Sequence, residues 1–317
     1  MNKQLVPMSC DKVFKKVWGD PDNVDRLTLL LSIVLNIPFK DLKGHVQILE
    51  SEKRIDNIKQ KVERNDIIAK ITLPYETKLN LEMNKGRFSQ SVIDRNTGYI
   101  VRIFAGGIRE KQSYKDIIPA VQICFNTYAI NPNKIIDCFY FKDDENYTLT
   151  EKIKIYTIDI VKCKEICYTK TTLKYNKNEQ EIIKIGALMM ENNNQRFKIK
   201  LEEIDMEDNL RKNIKQTMDD LSSDSEILEY FDAEQDEIAK INGRIDDARE
   251  DGYKDGLKKG EIFGRKEGRK EGRKEGEISG KIQKAKEIAK KMLSKNMNLE
   301  IITDITGISK EELNNLV

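Results

Sequence analysis

The chain has 317 residues, enough for one large core with an appendage or for two domains. Its hydrophobic fraction of 38% and aromatic fraction of 7% are typical of a globular protein with a polar extension. No apolar run approaches the roughly 20 residues that span a bilayer, and the first residues lack a signal-peptide pattern. We therefore expect a cytoplasmic protein with no membrane partner.

The use of cysteine and histidine argues against several kinds of site. The five cysteines are scattered, and Cys163 and Cys167 have no matching second pair, so we expect buried free thiols and not a zinc site. The one histidine, His45, stands near no nucleophile motif, which disfavours Ser-His-Asp and Cys-His catalysis. Any chemistry is therefore expected to depend on carboxylates.

The net charge of +2 hides an uneven distribution of charge along the chain. Residues 200–251 hold eighteen acids and seven bases, whereas residues 252–292 hold fourteen bases and seven acids. These shifts predict a core at 1–200, an acidic helical connector at 201–251, a basic spacer at 252–292 and a small helical unit at 293–317.

The first predicted elements are two helices, at 9–18 and 22–36, where apolar residues recur at helical spacing. A short apolar run at 46–50 predicts a strand. Two segments then alternate between apolar and polar residues, which predicts strands at 66–73 and 78–84 joined by a hairpin. The polar faces of these two strands carry Asp66, Lys70 and Thr72, and Lys78, Asn80, Glu82 and Asn84.

A hairpin symmetric about Tyr75 would put Asp66 opposite Asn84, with Glu82 on the diagonal from Asp66. Diagonal neighbours on one face have Cβ atoms about 7 Å apart or less, so the two carboxylates can converge on one cation. Paired carboxylates on adjacent strands are a common Mg²⁺ site in enzymes that cleave phosphodiesters. The alternative is two exposed acids on the polar face of a hairpin.

A long helix is predicted at 88–108, followed by strands at 119–127, 136–142 and 152–160. Arg95 falls on the apolar stripe of that helix, four residues before Tyr99. An arginine that faces inward needs a carboxylate or a phosphate as partner, and a structural salt bridge satisfies that need equally well. Helices flanking a short mixed sheet give an α/β core.

Glycine recurs at every fourth position from Gly252 to Gly280. Each glycine costs about 1 kcal/mol relative to alanine within a helix, so this segment is a poor isolated helix. It is either a flexible spacer or a helix whose glycine groove packs against a partner. We favour a helical spacer that orders on association, and hence a homo-oligomer formed through the C-terminal helical region.

Two better helices close the chain, at 284–295 and from Leu299 to Gly307, and Ser309 with Glu312 forms a capping box for a final turn. The spacing of the apolar residues here is compatible with a helix-turn-helix. Since no basic recognition helix is visible, a small helical cap or oligomerisation unit fits this spacing at least as well.

Several short segments match the motifs of one known family. Asp11-Lys12-Val13-Phe14-Lys15-Lys16-Val17 is similar to a DxxFKxxF start, and Asp66 with Glu82-Met83-Asn84 to a D…ExQ motif. Arg95 with Tyr99 is similar to RxxxY, and residues 111–114 to a GxxY segment. In these motifs and in its glycine-rich tail, the chain resembles the Rpn family of recombination-promoting nucleases and transposases, of the PD-(D/E)XK nuclease superfamily.

The resemblance implies a restriction-endonuclease-like α/β core and DNA cleavage that depends on Mg²⁺, with Mn²⁺ as a substitute. It implies that Asp66 and Glu82 hold the metal, and that Asn84 stands at the Gln or Lys position of the motif. Asparagine cannot supply the cation that lysine offers to the attacking water or the transition state. Lys70 and Lys78, on the same predicted face, are the candidates for that missing role.

The resulting hypothesis is a Mg²⁺-dependent DNA endonuclease linked to recombination or mobile elements. In it, Arg95 steadies a phosphate or the Glu82 carboxylate, with Tyr99 and Asp11 as supporting residues. Tyr99 also fits a core position, and Asp11 also fits a helix N-terminal acid stabilised by the helix dipole. The competing hypothesis is a catalytically inactive member of the same fold that binds DNA or assembles through its tail.

Overall fold

The computed structural model of the chain describes residues 5–49, 66–73, 76–108, 113–169 and 174–315. Within these ranges the strands form one mixed sheet in the order β1-β2-β3-β4-β6-β5. The strands are β1 (Val46–Leu49), β2 (Ile67–Ile71), β3 (Thr77–Asn84), β4 (Ala120–Asn126), β5 (Ile136–Lys142) and β6 (Thr148–Asp159).

The helices account for most of the remaining described residues. They are α1 (Asp11–Trp18), α2 (Val24–Leu35), α3 (Phe39–Leu42), α4 (Gln90–Ala105), α5 (Ile160–Thr169), α6 (Lys177–Met189), α7 (Asn194–Glu202), α8 (Asp208–Leu221), α9 (Ser225–Leu293), α10 (Leu299–Thr306) and α11 (Lys310–Asn314). The predicted strands and the three predicted helices of the first 160 residues are all present. The predicted fold class, a mixed sheet flanked by helices with a helical C-terminal extension, is confirmed.

The centre of the sheet is parallel and its edges are antiparallel. Strand β4 pairs in parallel with both β3 and β6, whereas β1 with β2, β2 with β3, and β5 with β6 are antiparallel. The carboxyl ends of parallel strands meet at one edge, where open α/β sheets place their ligands. Glu82 and Asn84, near the carboxyl end of β3, therefore lie at the edge where a site is expected.

Strands β3 and β4 are buried on both faces, and the two faces differ in chemistry. On one face apolar side chains pack beneath α1, where the rings of Phe14 and Phe125 lie 5.9 Å apart. On the other face three pairs of neighbouring residues lie beneath α4, namely Asn80 with Gln122, Glu82 with Cys124, and Asn84 with Asn126. A buried polar layer of this kind indicates function, because burying polar groups is costly unless they are satisfied.

Helices α5 and α6 were not predicted, although they bury much of the core. The sequence carried a start signal for each. The Asp159 carboxylate accepts a hydrogen bond from the backbone N–H of Lys162 at 3.0 Å, and Asn176 with Glu179 forms a capping box at the start of α6. The two helices cross closely, because an ideal Cβ at Gly186 would lie 2.7 Å from the Cys163 Sγ.

The core also extends past residue 200, the limit predicted from charge. The first compact unit of the structure is 1–242, and the second is 243–317. Helices α7 and α8 bury apolar residues in the first unit while their acids face outward, so local net charge does not mark the end of a core. The buried residues of this part include Phe197, Leu201, Ile204, Leu210, Ile214, Met218 and Leu221.

The second unit contains the glycine repeat within α9 and a small helical end. An ideal Cβ at each of the repeat glycines, Gly252 to Gly280, meets no atom within 4 Å. The repeat is helical, as favoured, and its ordering on association stays a prediction. Gly307, with a φ of +70°, ends α10 in the left-handed conformation, and the capping box of Ser309 and Glu312 is present.

Two further expectations concern cysteines and membranes. All five cysteines are free; Cys10, Cys124 and Cys163 are buried as expected, whereas Cys167 is half-buried and Cys138 is exposed. Among the described residues, no helix combines the length and the apolar character needed to cross a bilayer.

We expect Gly186→Ala to lower the free energy of unfolding by about 1–3 kcal/mol, because the added methyl group overpacks the crossing of α5 and α6. Gly98→Ala in α4 is the matched control, since a Cβ there meets no atom within 4 Å. The control is expected to raise stability by about 0.5–1 kcal/mol. Urea denaturation of both variants measures the difference, and equal effects would contradict the close crossing.

Candidate active site

Asp66 and Glu82 lie directly across from each other where β2 begins and β3 nears its end. The register pairs Ile67 with Leu81 and Ile68 with Asn80, which sets Asp66 opposite Glu82. The predicted register, with Asp66 opposite Asn84, is therefore wrong by two residues. An even shift keeps every side chain on its face, so both acids still share one face of the sheet.

Each carboxylate accepts a hydrogen bond from a backbone N–H close to the other carboxylate. The Asp66 N–H donates to Glu82 Oε1 at 3.3 Å, and the Met83 N–H donates to Asp66 Oδ2 at 2.9 Å. The Asn80 amide also donates to Glu82 Oε1, at 3.1 Å. These bonds hold the two carboxylates together at the end of the strand pair.

The charge of the pair is poorly compensated. Burial, followed by the negative charge of Asp66, raises the pKa of Glu82 to about 8, against the opposing hydrogen bonds and the charge of Arg95. Glu82 is only 3% exposed. A carboxyl whose pKa is raised by burial and by a second carboxyl is a site that a cation would stabilise.

Lys15 provides the contact between α1 and this pair. Its ammonium group lies 2.9 Å from Asp66 Oδ1; the Lys15 side chain is 41% exposed and that of Asp66 10%. Burial acts to lower the pKa of Lys15, but the hydrogen bond and charge of Asp66 outweigh it, and the pKa is raised. Lys15 falls in the first motif of the sequence, yet no role was assigned to it there.

Asn84 is held by neighbours on both sides of its amide. Arg95 donates to Asn84 Oδ1 at 2.7 Å, and the Asn84 amide donates to Asn126 Oδ1 at 2.9 Å. Arg95 also lies 5.7 Å from the centre of the buried Tyr99 ring. The inward-facing arginine thus has an amide as its direct partner, where a carboxylate or phosphate was expected.

Lys70 and Lys78 lie away from the acid pair. They are cross-strand partners of each other, four residues along their strands from Asp66 and Glu82, a distance of about 13 Å. The Lys70 ammonium pairs with Glu76 at 2.9 Å, and that of Lys78 donates to the Gly106 carbonyl at 3.3 Å. The hypothesis that either lysine supplies the missing cation is corrected accordingly.

Asp11 lies at the rim of the site in a second group of charges. Lys85, the residue after Asn84, pairs with Glu234 of α9 and lies 3.4 Å from Asp11 Oδ1. The Asp11 N–H donates to Glu234 Oε1 at 3.1 Å. As the first residue of α1, Asp11 also fits the helix-terminal role.

A cavity of about 270 Å³ opens beside this rim, lined by Asn84, Lys85, Arg95, Tyr230 and Glu234 among others. The contribution of α9 is not predicted by the sequence. No local signal pointed to it, since Asp11 and Glu234 are 223 positions apart.

The oxygen donors of Asp66 and Glu82 suit a divalent cation. Among the described residues, no cluster of three or more His, Cys, Asp or Glu side chains is placed to hold a metal. Mg²⁺ usually keeps several waters and takes one or two carboxylates together with substrate phosphate oxygens. Asp66 and Glu82, two oxygen donors with an excess of negative charge, fit that requirement, as they do for Mn²⁺.

The fold and the site define an α/β protein of the PD-(D/E)XK nuclease type, in which two acids are held at the start of one strand and near the end of the next. The family model for the PD-(D/E)XK nuclease family transposase matches residues 8–237. The chain belongs to this family. A comparison with curated proteins and with solved structures found no match.

A second family model, the Rpn/YhgA-like nuclease family C-terminal HTH domain, matches residues 283–317. These residues hold the end of α9, α10 and α11, with Gly307-Ile308-Ser309 as a short turn between the last two helices. Ala289, Ile302, Ile308 and Leu313 form its buried core. The sequence analysis left a helical cap and a helix-turn-helix open, and the match favours the helix-turn-helix.

We expect Glu82→Gln to stabilise the metal-free protein more at pH 8.5 than at pH 5. A glutamate with a raised folded-state pKa loses stability as pH rises from its unfolded value to about 8. Glutamine removes that loss. Thermal unfolding in the presence of a chelator measures the difference in Tm between the variant and the wild type. This difference should be larger at pH 8.5 than at pH 5 by about a few degrees.

Glu76→Gln is the matched control, because this carboxylate is partly exposed and pairs with Lys70 away from the site. Its gap in Tm should stay flat between the two pH values. A flat gap for Glu82→Gln as well would contradict the raised pKa of Glu82.

Proposed function

We propose that the protein is a Mg²⁺-dependent DNA endonuclease that hydrolyses phosphodiester bonds, in recombination or in the movement of genetic elements. The observation that carries the proposal is the pair of half-buried Asp66 and buried Glu82, which backbone hydrogen bonds hold together and whose repulsion favours a bound cation. Membership of a nuclease family supports the same reaction class.

In this proposal Asp66 and Glu82 hold Mg²⁺, or Mn²⁺ in its place. The ion would supply a Lewis acid that acidifies a bound water and neutralises charge on the phosphate. The hydrogen bonds from Asn80 and Met83 orient the two carboxylates. Preorganised donors of this kind lower the cost of reaching the transition state.

Hydrolysis forms a bond between a water oxygen and phosphorus and breaks one phosphorus–oxygen ester bond. The proton of the water passes to solvent and the leaving oxygen regains one. Arg95, fixed on Asn84 beside the cavity, places a permanent positive charge near the position of the phosphate. Lys85 on the cavity wall adds a second cation.

We expect purified wild-type protein to nick supercoiled plasmid in Mg²⁺, with Asp66→Ala and Glu82→Ala each slower by at least about 100-fold, as loss of a group that stabilises the transition state implies. Asp144→Asn, at an exposed position between β5 and β6, is the control and should nick at the wild-type rate. Agarose gels of nicked and linear products measure the rates.

Equal nicking by all four proteins would show that another site or a contaminant cleaves DNA. Absence of nicking by wild type, with DNA binding retained, would favour the second candidate function. That candidate is an inactive member of the fold that binds DNA or assembles through its tail. It is favoured by Asn84, whose amide is bonded to Arg95 and Asn126 where the motif expects a glutamine or lysine.

In both candidates the C-terminal helix-turn-helix contributes DNA affinity, and the glycine-repeat helix is the surface through which a homo-oligomer would form. The described part of α11 contains one base, Lys310, which pairs with Glu300 at 2.9 Å. The affinity of this unit alone is therefore expected to be modest and sensitive to salt.

We expect Leu313→Asp to reduce DNA affinity several-fold, because a buried charge opens the small core of the helix-turn-helix unit. Ile305→Asp is the matched control. It makes the same change of charge at a side chain that is 62% exposed. Fluorescence anisotropy at two salt concentrations measures binding, and equal losses in both variants would point to charge alone.

A further inference from the structure

The third position of the acid motif carries no cation in this chain. Asn84 occupies it, and its amide is bonded to Arg95 on one side and Asn126 on the other. The Arg95 guanidinium is fixed behind the amide, since it bonds Asn84 and lies near the Tyr99 ring. A freely placed positive charge at the carboxylates must therefore come from another element.

Among the lysines in the described ranges whose partners are given above, Lys15 is the one that pairs with an acid of the motif, Asp66. Its ammonium group touches Asp66 at 2.9 Å, and the charge of Glu82 also acts on it. Lys85 has different partners, Glu234 and Asp11. Helix α1 thus brings to the site the charge that β3 lacks.

The position of α1 is well fixed, while the end of the lysine is not. Phe14 and Val17, on either side of Lys15, are completely buried in the core. The side chain of Lys15 is nevertheless 41% exposed and ends in a group on a flexible four-carbon stem. The ammonium group can therefore change partner without any movement of the helix.

We propose that Lys15 is the catalytic cation of this site. It neutralises Asp66 in the metal-free site; with a divalent ion held by Asp66 and Glu82, its ammonium group would be free to contact the phosphate and the attacking water. The inference rests on the proposed nuclease function. It assigns to a residue of the first helix the role that the motif usually gives to the strand.

The two roles of Lys15 predict opposite changes when its charge is removed. The ammonium group and a divalent ion compete for the same Asp66 oxygen, so Lys15→Met should bind Mn²⁺ about threefold to tenfold more tightly in the absence of DNA. The same variant should cleave about 100-fold more slowly, because the phosphate loses its cation. If Lys15 only supported the fold, its replacement by methionine would weaken both Mn²⁺ binding and DNA cleavage.

The experiment compares Lys15→Met, Lys15→Arg and the control Lys16→Met. Lys16 is the exposed neighbour in the same helix, so its variant makes the same loss of charge away from Asp66. Mn²⁺ affinity is measured by titration calorimetry without DNA, and plasmid nicking is measured in Mg²⁺. Lys15→Arg keeps the charge and should restore a large part of the nicking rate.

Tighter Mn²⁺ binding with slower nicking in Lys15→Met, near-normal values in Lys16→Met and rescue by arginine would support the proposal. Wild-type nicking rates in Lys15→Met would overturn it while leaving the nuclease function standing. Parallel loss of Mn²⁺ affinity and nicking would also overturn it, by showing structural support of Asp66. If wild-type protein does not nick at all, the nuclease function fails, and the catalytic role of Lys15 with it.

Discussion

The mutual hydrogen bonding of Asp66 and Glu82 is the interaction on which the rest of the site depends. Two like charges are brought together in a partly buried place, which is unfavourable unless something compensates. The backbone N–H groups of Asp66 and Met83 and the amide of Asn80 supply part of that compensation. Lys15 supplies more, and under the proposed function the remainder would favour a divalent ion.

The polar face beneath α4 follows from this constraint. Glu82 can be buried only if its neighbours on β3 and β4 are polar, so amides replace apolar residues at the flanking positions. The opposite face of the same strands is apolar and packs beneath α1. Helix α4 therefore covers the polar face that holds Glu82, whereas α1 packs on the apolar face and carries Lys15.

The sequence allowed the faces of the strands to be predicted, but not their register. The alternation of polar and apolar residues places Asp66 and Glu82 on one face of the sheet. A shift of the pairing by two residues keeps every side chain on its face, so the sequence pattern cannot distinguish the two registers. Helix α5 was missed because its apolar residues follow β6 without a break, although Asp159 marked its start. Helix α6 was missed despite the capping box of Asn176. Contacts between distant segments, such as Lys15 with Asp66, depend on tertiary packing and leave no periodic signal.

The charges around the site also bear on the order in which its ligands bind. The contacts described above join the acids Asp11, Asp66, Glu82 and Glu234 and the bases Lys15, Lys85 and Arg95. Four acids against three bases give a net charge of −1 when all are ionised, and the raised pKa of Glu82 removes most of that excess near neutral pH. Under the proposed function, a divalent ion held by Asp66 and Glu82 would make the group net positive and so favour the binding of a phosphate backbone. It would also leave the Lys15 ammonium group free of Asp66 to meet the phosphate.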